Sequence, residues 1–383
     1  MGYDVLVVGL GGMGSATAYH LSKQGQKVLG LEAFSHGHAR GSSHGGSRII
    51  REAYAEAVEY VPLVRRAYEL WRELEEESSR DLLTVTGGLI AGLGDGDKIL
   101  GALSSARKHN LRVEHLSAEE VSERYPGIRL TEDLAAIFDS RAGFLRPEEC
   151  VDAHLDLAAR LGADLHYDEP VRSWEATESG VRIWTDDGTY EADRLVVTAG
   201  PWAGQILAQL NLPLAVERVV NVHFEPHKPE LYRPEVCPVY TLTLPEASYY
   251  GVPVLPGQGV KIGSHSGTPT TPDNVKREVE PSEVEDYRRV LEKYLPSAAG
   301  AIKWSLTCLY TKTPDGNFII DKHPEHDRVV FACGFSGHGF KFCCFVGEVL
   351  AQLSTEGQTR HPISFLSASR FAEAASHKAP ASE

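Results

Sequence analysis

The sequence lacks basic blocks and long apolar runs, and these absences exclude several classes of partner. The 383 residues carry a net charge of −15, which repels nucleic-acid phosphates and anionic lipid, and no cluster of Lys and Arg with interleaved aromatic residues offsets that charge. No segment approaches the roughly 18 apolar residues that cross a bilayer, and the N-terminus lacks the basic start of a signal peptide. We therefore expect no nucleic-acid or membrane partner and a cytoplasmic location.

The sequence also lacks cysteine motifs that bind metals or form redox pairs. The six cysteines show neither a CxxC pair nor a His-spaced metal pattern, so we expect no metal site. They are Cys150, Cys237, Cys308, Cys333, Cys343 and Cys344. Their scatter through a long chain is typical of reduced core thiols in an intracellular protein. Cys308, placed at the end of a predicted strand, is by itself predicted to be a buried thiol rather than a reactive one.

The order of sequence patterns predicts two interleaved domains. With 42% hydrophobic residues the chain can bury a large core. Strand-loop-helix units occur at its beginning, middle and end, and segments that alternate with period two fill the gaps. We predict an α/β fold in which a Rossmann-like nucleotide-binding domain (1–84, 146–212 and 310–371) carries an inserted α+β domain with an antiparallel sheet (85–145 and 213–309). Residues 372–383 are predicted to be a flexible tail.

One alternating segment, residues 220–225, predicts a strand with two distinct faces. Apolar residues at 220, 222 and 224 alternate with polar ones at 221, 223 and 225, which predicts a strand with one covered face. The alternating residues are Val220, Val222 and Phe224 on one face and Asn221, His223 and Glu225 on the other.

A glycine-rich motif near the N-terminus predicts dinucleotide binding. In GLGGMG, Gly9 allows the tight turn, Gly11 lets pyrophosphate approach the backbone, and Gly14 lets helix and strand pack closely. Glu32, eighteen residues after Gly14, stands where an acid accepts hydrogen bonds from ribose hydroxyls. The acid disfavours a 2′-phosphate, so NAD or FAD is expected rather than NADP.

Two arginines follow a loop rich in Gly, Ser and His. Arg48 and Arg51 are three residues apart, and if Arg48 begins a helix, both guanidinium groups point to one side and suit a carboxylate. A solvated surface helix is the alternative, and spacing alone favours it. The glycines before Arg48 nevertheless indicate a loop that something approaches closely.

Residues 249–265 predict a β-hairpin with its loop at 256–259. If Leu255 pairs with Val260, alternation places three polar side chains on one face. They are Tyr250, Lys261 and His265. This face either lines a polar pocket or is the solvated side of the sheet, and the pattern alone favours the solvated side.

Residues 334–341 (GFSGHGFK) form a second glycine-rich loop, between a buried strand and an apolar helix. The backbone N–H groups around Gly337 and Gly339, together with the helix dipole, can face an anionic group. Lys341, at the predicted start of that helix, could hold a substrate carboxylate.

Together these segments resemble the monomeric sarcosine oxidase family, which includes N-methyltryptophan and pipecolate oxidases. Three stretches carry the resemblance: 41–54 (GSSHGGSRIIREAY), 308–321 (CLYTKTPDGNFIID) and 334–342 (GFSGHGFKF). Their joint occurrence in order is more specific than the nucleotide motif. The match extends to about residue 371.

The resemblance implies a cofactor and a set of site residues. FAD is expected to be bound through Gly9, Gly11, Gly14 and Glu32, with His44, Gly337, Gly339 and Lys341 near the flavin and a thioether from Cys308 to its 8-methyl carbon. Arg51 and Lys341 would bind the substrate carboxylate. Arg48 and Lys261 would lie in the flavin region, where the family's matching lysine promotes reaction of reduced flavin with oxygen. Tyr250, His265 and Tyr310 would line the substrate cavity.

The expected activity is therefore oxidation of a small secondary amino acid such as sarcosine by a monomeric flavoprotein, with oxygen as acceptor and hydrogen peroxide as product. Cyclic or bulkier N-alkyl amino acids, including L-proline, L-pipecolate, N-methyltryptophan and fructosyl amino acids, are alternative substrates. The alternatives outside this class are an FAD dehydrogenase that does not use oxygen, an NAD-dependent enzyme that shares only the nucleotide motif, and a flavin-binding protein without turnover.

Overall fold

A computed structural model describes residues 2–371, so the predicted tail at 372–383 lies outside the described residues. The strands of the described chain are β1 (Tyr3–Val8), β2 (Val28–Leu31), β3 (Arg48–Ile50), β4 (Leu83–Val85), β5 (Gly88–Leu93), β6 (Val113–Ser117), β7 (Leu134–Asp139), β8 (Gly143–Leu145), β9 (Asp164–His166), β10 (Ser173–Ala176), β11 (Val181–Trp184), β12 (Thr189–Val197), β13 (Ala215–Phe224), β14 (Val239–Thr243), β15 (Ser248–Leu255), β16 (Gly259–Ser264), β17 (Thr268–Thr270), β18 (Ile302–Lys312), β19 (Ile319–Lys322) and β20 (Val329–Cys333). The α-helices are α1 (Gly12–Lys23), α2 (Tyr60–Ser78), α3 (Asp97–His109), α4 (Ala118–Arg124), α5 (Pro147–Arg160), α6 (Ala203–Ile206), α7 (Pro281–Tyr294) and α8 (Cys343–Glu356).

An eight-stranded sheet forms the nucleotide-binding half. Its parallel strands lie in the order β20-β12-β1-β2-β9, and β19, β11 and β10 add antiparallel strands at one side. Helix α1 packs against both α5 and α8, and their apolar faces share one core with α2. This arrangement confirms the predicted α/β fold class.

The second sheet has nine strands in the order β17-β13-β16-β15-β14-β5-β7-β6, with β18 paired to β13. Its pairs are antiparallel, as expected, except that β14 and β5 run parallel. Helix α7 covers one face, where Val220, Val222 and Phe224 join its core. The expectation that only this face is covered is wrong. Asn221 and His223 on the other face are also buried, because that face lies over the loop that precedes Arg48.

The hairpin β15–β16 keeps the predicted face but not the predicted register. Tyr250 pairs with Gly263 and Val252 with Lys261, and a bulge separates Val252 from Leu255. The prediction was two residues out because Leu255 pairs with Gly259 instead of Val260 and the bulge adds a further shift of one residue. A two-residue shift leaves every side chain on its original face, so Tyr250, Lys261 and His265 still share one face.

Helix α2 connects the core to the site. Its apolar stripe is buried, and it comprises Val61, Val64, Tyr68, Trp71 and Leu74. Within residues 2–371, no helix combines the length and the apolar character that a membrane crossing requires.

We predict that Trp71→Ala lowers the free energy of unfolding by about 3–5 kcal/mol, because it leaves a large cavity in the core. The Trp71 side chain is 0% exposed and its indole N–H donates to the backbone oxygen of Lys341 at 2.8 Å. Denaturant unfolding measures the change. The control is Leu100→Ala, at a 51% exposed position, and an equal loss in both variants would contradict the prediction.

Candidate active site

A cavity of about 750 Å³ runs from the glycine-rich βαβ unit to the covered face of the second sheet. Eleven of the predicted site residues line it: Gly9, Gly11, Glu32, Arg48, Arg51, Tyr250, His265, Tyr310, Gly337, Gly339 and Lys341. Gly14, His44, Lys261 and Cys308 are buried beside the cavity without lining it. The structure therefore brings residues from distant parts of the chain to one elongated site.

The glycines at the nucleotide end are required by close approaches. Gly9 has φ +87°, and a Cβ there would lie 2.7 Å from the backbone oxygen of Thr198. A Cβ on Gly14 would overlap the carbonyl oxygen of Gly9, so only glycine lets α1 pack this closely on β1. The Glu32 carboxylate ends β2 and accepts from the backbone N–H of Leu10 at 2.8 Å and of Phe34 at 3.2 Å.

The other end of the cavity is the covered face of the second sheet. Strand pairing sets its rows: Trp304, His223, Lys261 and Val252 lie in one row, and Leu306, Asn221, Gly263 and Tyr250 lie in the next. Cys308, opposite Val219, follows on β18. The sequence had suggested that Cys308 ends a strand. It lies inside β18 instead, since this strand continues to Lys312.

The arginine pair does not lie on a helix. Arg48 is in strand β3 and Arg51 follows that strand, because the backbone pairs with β8 instead of coiling. The two side chains consequently have different neighbours. Arg48 Nη2 lies 3.5 Å from Cys308 Sγ, whereas Arg51 reaches Glu56.

Lys261 is a buried amine held by backbone carbonyl groups. Its Nζ donates to the oxygens of Gly45 and Ser47, each at 2.9 Å. Burial, reinforced by the Arg48 charge, holds the pKa of Lys261 well below its usual range. His44 lies in the same loop and binds the Thr307 oxygen through Nε2 at 3.0 Å. Burial lowers the pKa of His44 to about 4.

A polar network covers the substrate end. Tyr250 donates to Asn221 Oδ1 at 2.7 Å, and the Tyr310 hydroxyl donates to that of Tyr250 at 3.4 Å. The His265 ring lies 4.9 Å from the Tyr250 ring. Burial lowers the pKa of His265 to about 3, so its imidazole is neutral near pH 7. Asn221 was missed as a site residue because alternation alone marked it only as the polar side of a strand.

Two further cations flank the ring of Tyr54. The Arg51 guanidinium lies 4.9 Å and the Lys341 ammonium 5.4 Å from the ring centroid. Arg51 donates from Nη2 to both carboxylate oxygens of Glu56, at 2.8 and 2.9 Å. Lys341 donates to the His338 oxygen at 2.7 Å, and burial, with the Arg51 charge, lowers its pKa to about 7. The sequence analysis assigned no role to Tyr54, although it ends the stretch 41–54, and no sequence signal pointed to Glu56.

The second glycine-rich loop lines the cavity next to Tyr310. Gly337 has φ +82°, and a Cβ there would lie 2.5 Å from the Tyr310 ring. We expected Lys341 at the start of the following helix. It lies instead in a 3₁₀ turn (Phe340–Phe342) before that helix. Helix α8 begins at Cys343, because the tight turn after the loop shifts the helix start by two residues.

These residues fit FAD. The glycine turn and Glu32 suit its dinucleotide half, and the same cavity continues past Arg48 to the sheet face, where Arg48 and the Cys308 thiol would lie near a bound ring system. Cavities of this size, largely apolar with a few convergent polar groups, are typical of cofactor sites.

Comparisons with known proteins agree with this fit. Residues 4–353 match the family described as DAO, FAD dependent oxidoreductase. Monomeric sarcosine oxidase of Streptomyces avermitilis is 44% identical over 378 residues, covering 97% of this chain and 98% of that protein. N-methyl-L-tryptophan oxidase of Yersinia pestis (strain Pestoides F) is 33% identical over 377 residues, covering 97% of this chain and 100% of that protein.

A solved structure of NikD, an unusual amino acid oxidase essential for nikkomycin biosynthesis, superposes with a TM-score of 0.86 at 26% identity, covering 96% of this chain and 97% of that one. The match over nearly the whole length agrees with a shared arrangement of both sheets. The chain therefore belongs to the DAO family of FAD-dependent oxidoreductases and, within it, to the monomeric sarcosine oxidase family, with FAD as its cofactor.

Proposed function

We propose that the protein oxidises the C–N bond of a small secondary amino acid, with sarcosine as the preferred candidate. The reaction is sarcosine + O₂ + H₂O giving glycine, formaldehyde and hydrogen peroxide. The observation that carries the proposal is the pair of cations, Arg51 and Lys341, at the same end of the cavity as the neutral His265. The names of the sarcosine oxidase relatives support the same substrate.

Arg51 and Lys341 would bind the substrate carboxylate by charge-assisted hydrogen bonds. Arg51 already binds a carboxylate, that of Glu56, through Nη2, and Lys341 has no salt bridge to a carboxylate within residues 2–371. Holding the carboxylate at this end directs the amine toward the sheet face. This positioning makes the oxidation effectively unimolecular.

The neutral groups at the sheet face suit an uncharged amine. His265 is neutral, and the hydroxyls of Tyr250 and Tyr310 are held in a network that ends on Asn221. A free-base amine can meet these groups without a buried charge repulsion, whereas an ammonium would need an anionic partner. No residue needs to act as a strong base.

When bound, FAD accepts the two electrons of the oxidation and passes them to oxygen. We assign Lys261 to the oxygen step, because a buried positive group stabilises negative charge as it develops. We assign Cys308 to covalent attachment, because its sulfur lies beside the cavity-lining Arg48. We also propose a monomer, from the relatives' name. The cytoplasmic location and the domain boundaries stay predictions.

Anaerobic addition of sarcosine tests the substrate. We expect the yellow protein to bleach and, on admission of air, to release one hydrogen peroxide per sarcosine. N-methyl-L-tryptophan and L-proline serve as comparison substrates in the same experiment. If sarcosine leaves the colour unchanged while one of these bleaches it, the substrate assignment is wrong. Bleaching without peroxide would indicate a dehydrogenase instead of an oxidase.

We predict that Cys308→Ser abolishes covalent attachment. After acid precipitation, the colour should stay with the pellet of the unaltered protein and move to the supernatant in the variant, because serine does not form the thioether. Absorbance of the two fractions measures this. The control is Cys237→Ser, another buried thiol, within the α7-covered core, which should keep its colour in the pellet. Colour in the supernatant of the unaltered protein contradicts the assignment.

We predict that Lys261→Met slows reaction with oxygen by about 10²-fold or more, while reduction by substrate changes little. Stopped-flow absorbance measures the two half-reactions separately. The control is Lys303→Met, since Lys303 lies on strand β18 of the same sheet and pairs with Glu225 at 2.7 Å. Equal losses in both half-reactions would remove Lys261 from the oxygen step.

A further inference from the structure

His223 presents two buried ring nitrogens that lack a well-formed hydrogen bond among the described residues. It lies directly opposite Lys261 across the β13–β16 pair, and its side chain is 1% exposed. Neither nitrogen makes a well-formed hydrogen bond within residues 2–371, although the backbone of Gln258 lies close enough to oppose the lowering of the His223 pKa. The ring stacks on Trp304, with centroids 4.0 Å apart and planes 18° apart, which fixes the imidazole without satisfying it. Buried polar groups in native proteins almost always have a partner, which is often ordered water.

Other unpaired polar atoms lie around the same place. A Cβ on Gly46 would overlap the side-chain oxygen of Gln258, so that amide packs directly on the loop that binds Lys261. The Gln258 oxygen and the Ser47 hydroxyl are both buried and unpartnered among the described residues. A buried water requires two to four polar partners, and this cluster offers them.

The Lys261 side chain has fewer hydrogen-bond acceptors than an ammonium group can use. An ammonium has three N–H donors, and two of them go to the carbonyl oxygens of Gly45 and Ser47. The nearby Glu148 carboxylate is engaged by the backbone N–H groups of Gly45 and Gly46. No salt bridge reaches Lys261 from any of the described residues. Its charge therefore depends on neutral dipoles.

We propose that His223 is a positioning residue for Lys261. Its imidazole and the Gln258 amide bind buried water, which accepts the third ammonium hydrogen bond and helps Lys261 to keep its proton. The inference rests on the oxygen-step role of Lys261 proposed above.

The direction of the effect follows from the charges. Burial and the Lys261 charge lower the pKa of His223 to about 3, so the imidazole is neutral and acts as a dipole. The other titratable groups that face Lys261 are Arg48 on β3, His44 in the loop before it, Glu148 on α5 and Cys308 on β18. Reaction with oxygen needs charged Lys261, so it is fast below the pKa of Lys261 and is lost as the pH rises through it. Removing the water should lower this pKa.

The test variant is His223→Phe, which keeps a ring against Trp304 and removes both nitrogens. Holoenzyme reduced with dithionite is mixed with oxygen across a pH series, so that the result does not depend on any amine substrate. We expect the loss of the oxygen reaction to move to lower pH by about one unit. The matched control is His227→Phe, at an exposed histidine just after β13, with an unshifted profile expected.

A second readout is structural. A high-resolution crystal structure of the holoenzyme should show ordered water within hydrogen-bonding distance of a His223 nitrogen and of the Gln258 side chain. A dry site in the unaltered protein overturns the proposal even if His223→Phe fails to fold. His223→Gln, which retains a donor and an acceptor, should keep the water and the original pH profile, and a profile shifted as far as that of His223→Phe overturns the proposal as well.

Two outcomes distinguish the role of Lys261 from the role of His223. If Lys261→Met reacts with oxygen at the unaltered rate, the role of Lys261 is wrong and the present proposal falls with it. If Lys261→Met is slow but a folded His223→Phe keeps the unaltered pH profile, the role of Lys261 stands and only the role of His223 is overturned.

Discussion

The hydrogen bonds from Lys261 to the backbone of Gly45 and Ser47 hold the two halves of the site together. They fasten a loop of the nucleotide-binding half under the covered face of the second sheet. On the other side of the loop, Glu148 accepts from the N–H groups of Gly45 and Gly46. This fixed loop delivers Arg48 to Cys308. Lys261 is buried and Glu148 is partly buried beside the cavity, which limits the exchange of these polar contacts for water.

Positive charge is concentrated around the cavity although the chain as a whole is acidic. The net charge is −15, yet Arg48, Arg51, Lys261 and Lys341 all lie at or beside the cavity. Burying cations without matching carboxylates is costly. Near these four groups Glu56 pairs with Arg51 and Glu148 accepts from backbone amides, whereas Glu32, Asp152 and Asp273 also line the cavity. An anionic ligand would relieve this imbalance, which suits a substrate carboxylate.

Much of the fold was predictable from the sequence because local patterns report local structure. The strands β1 and β20 and the buried stripe of α2 follow from apolar periodicity. The face shared by Tyr250, Lys261 and His265 was correct despite a wrong register, since a two-residue slip preserves side-chain faces. The bulge near Pro253 was not predictable, because it depends on pairing across the sheet.

By itself, the sequence determined the nucleotide turn, the order of strand and helix units and the candidate residues, since each depends on chemistry within a short segment. Tertiary structure decided which of these residues meet. It turned the predicted arginine helix into a strand, because β8 offered backbone partners, and it paired Arg51 with Glu56. It also buried Asn221 and His223, which alternation had placed in solvent. A pattern defines a strand's two faces, but only packing determines what covers each face.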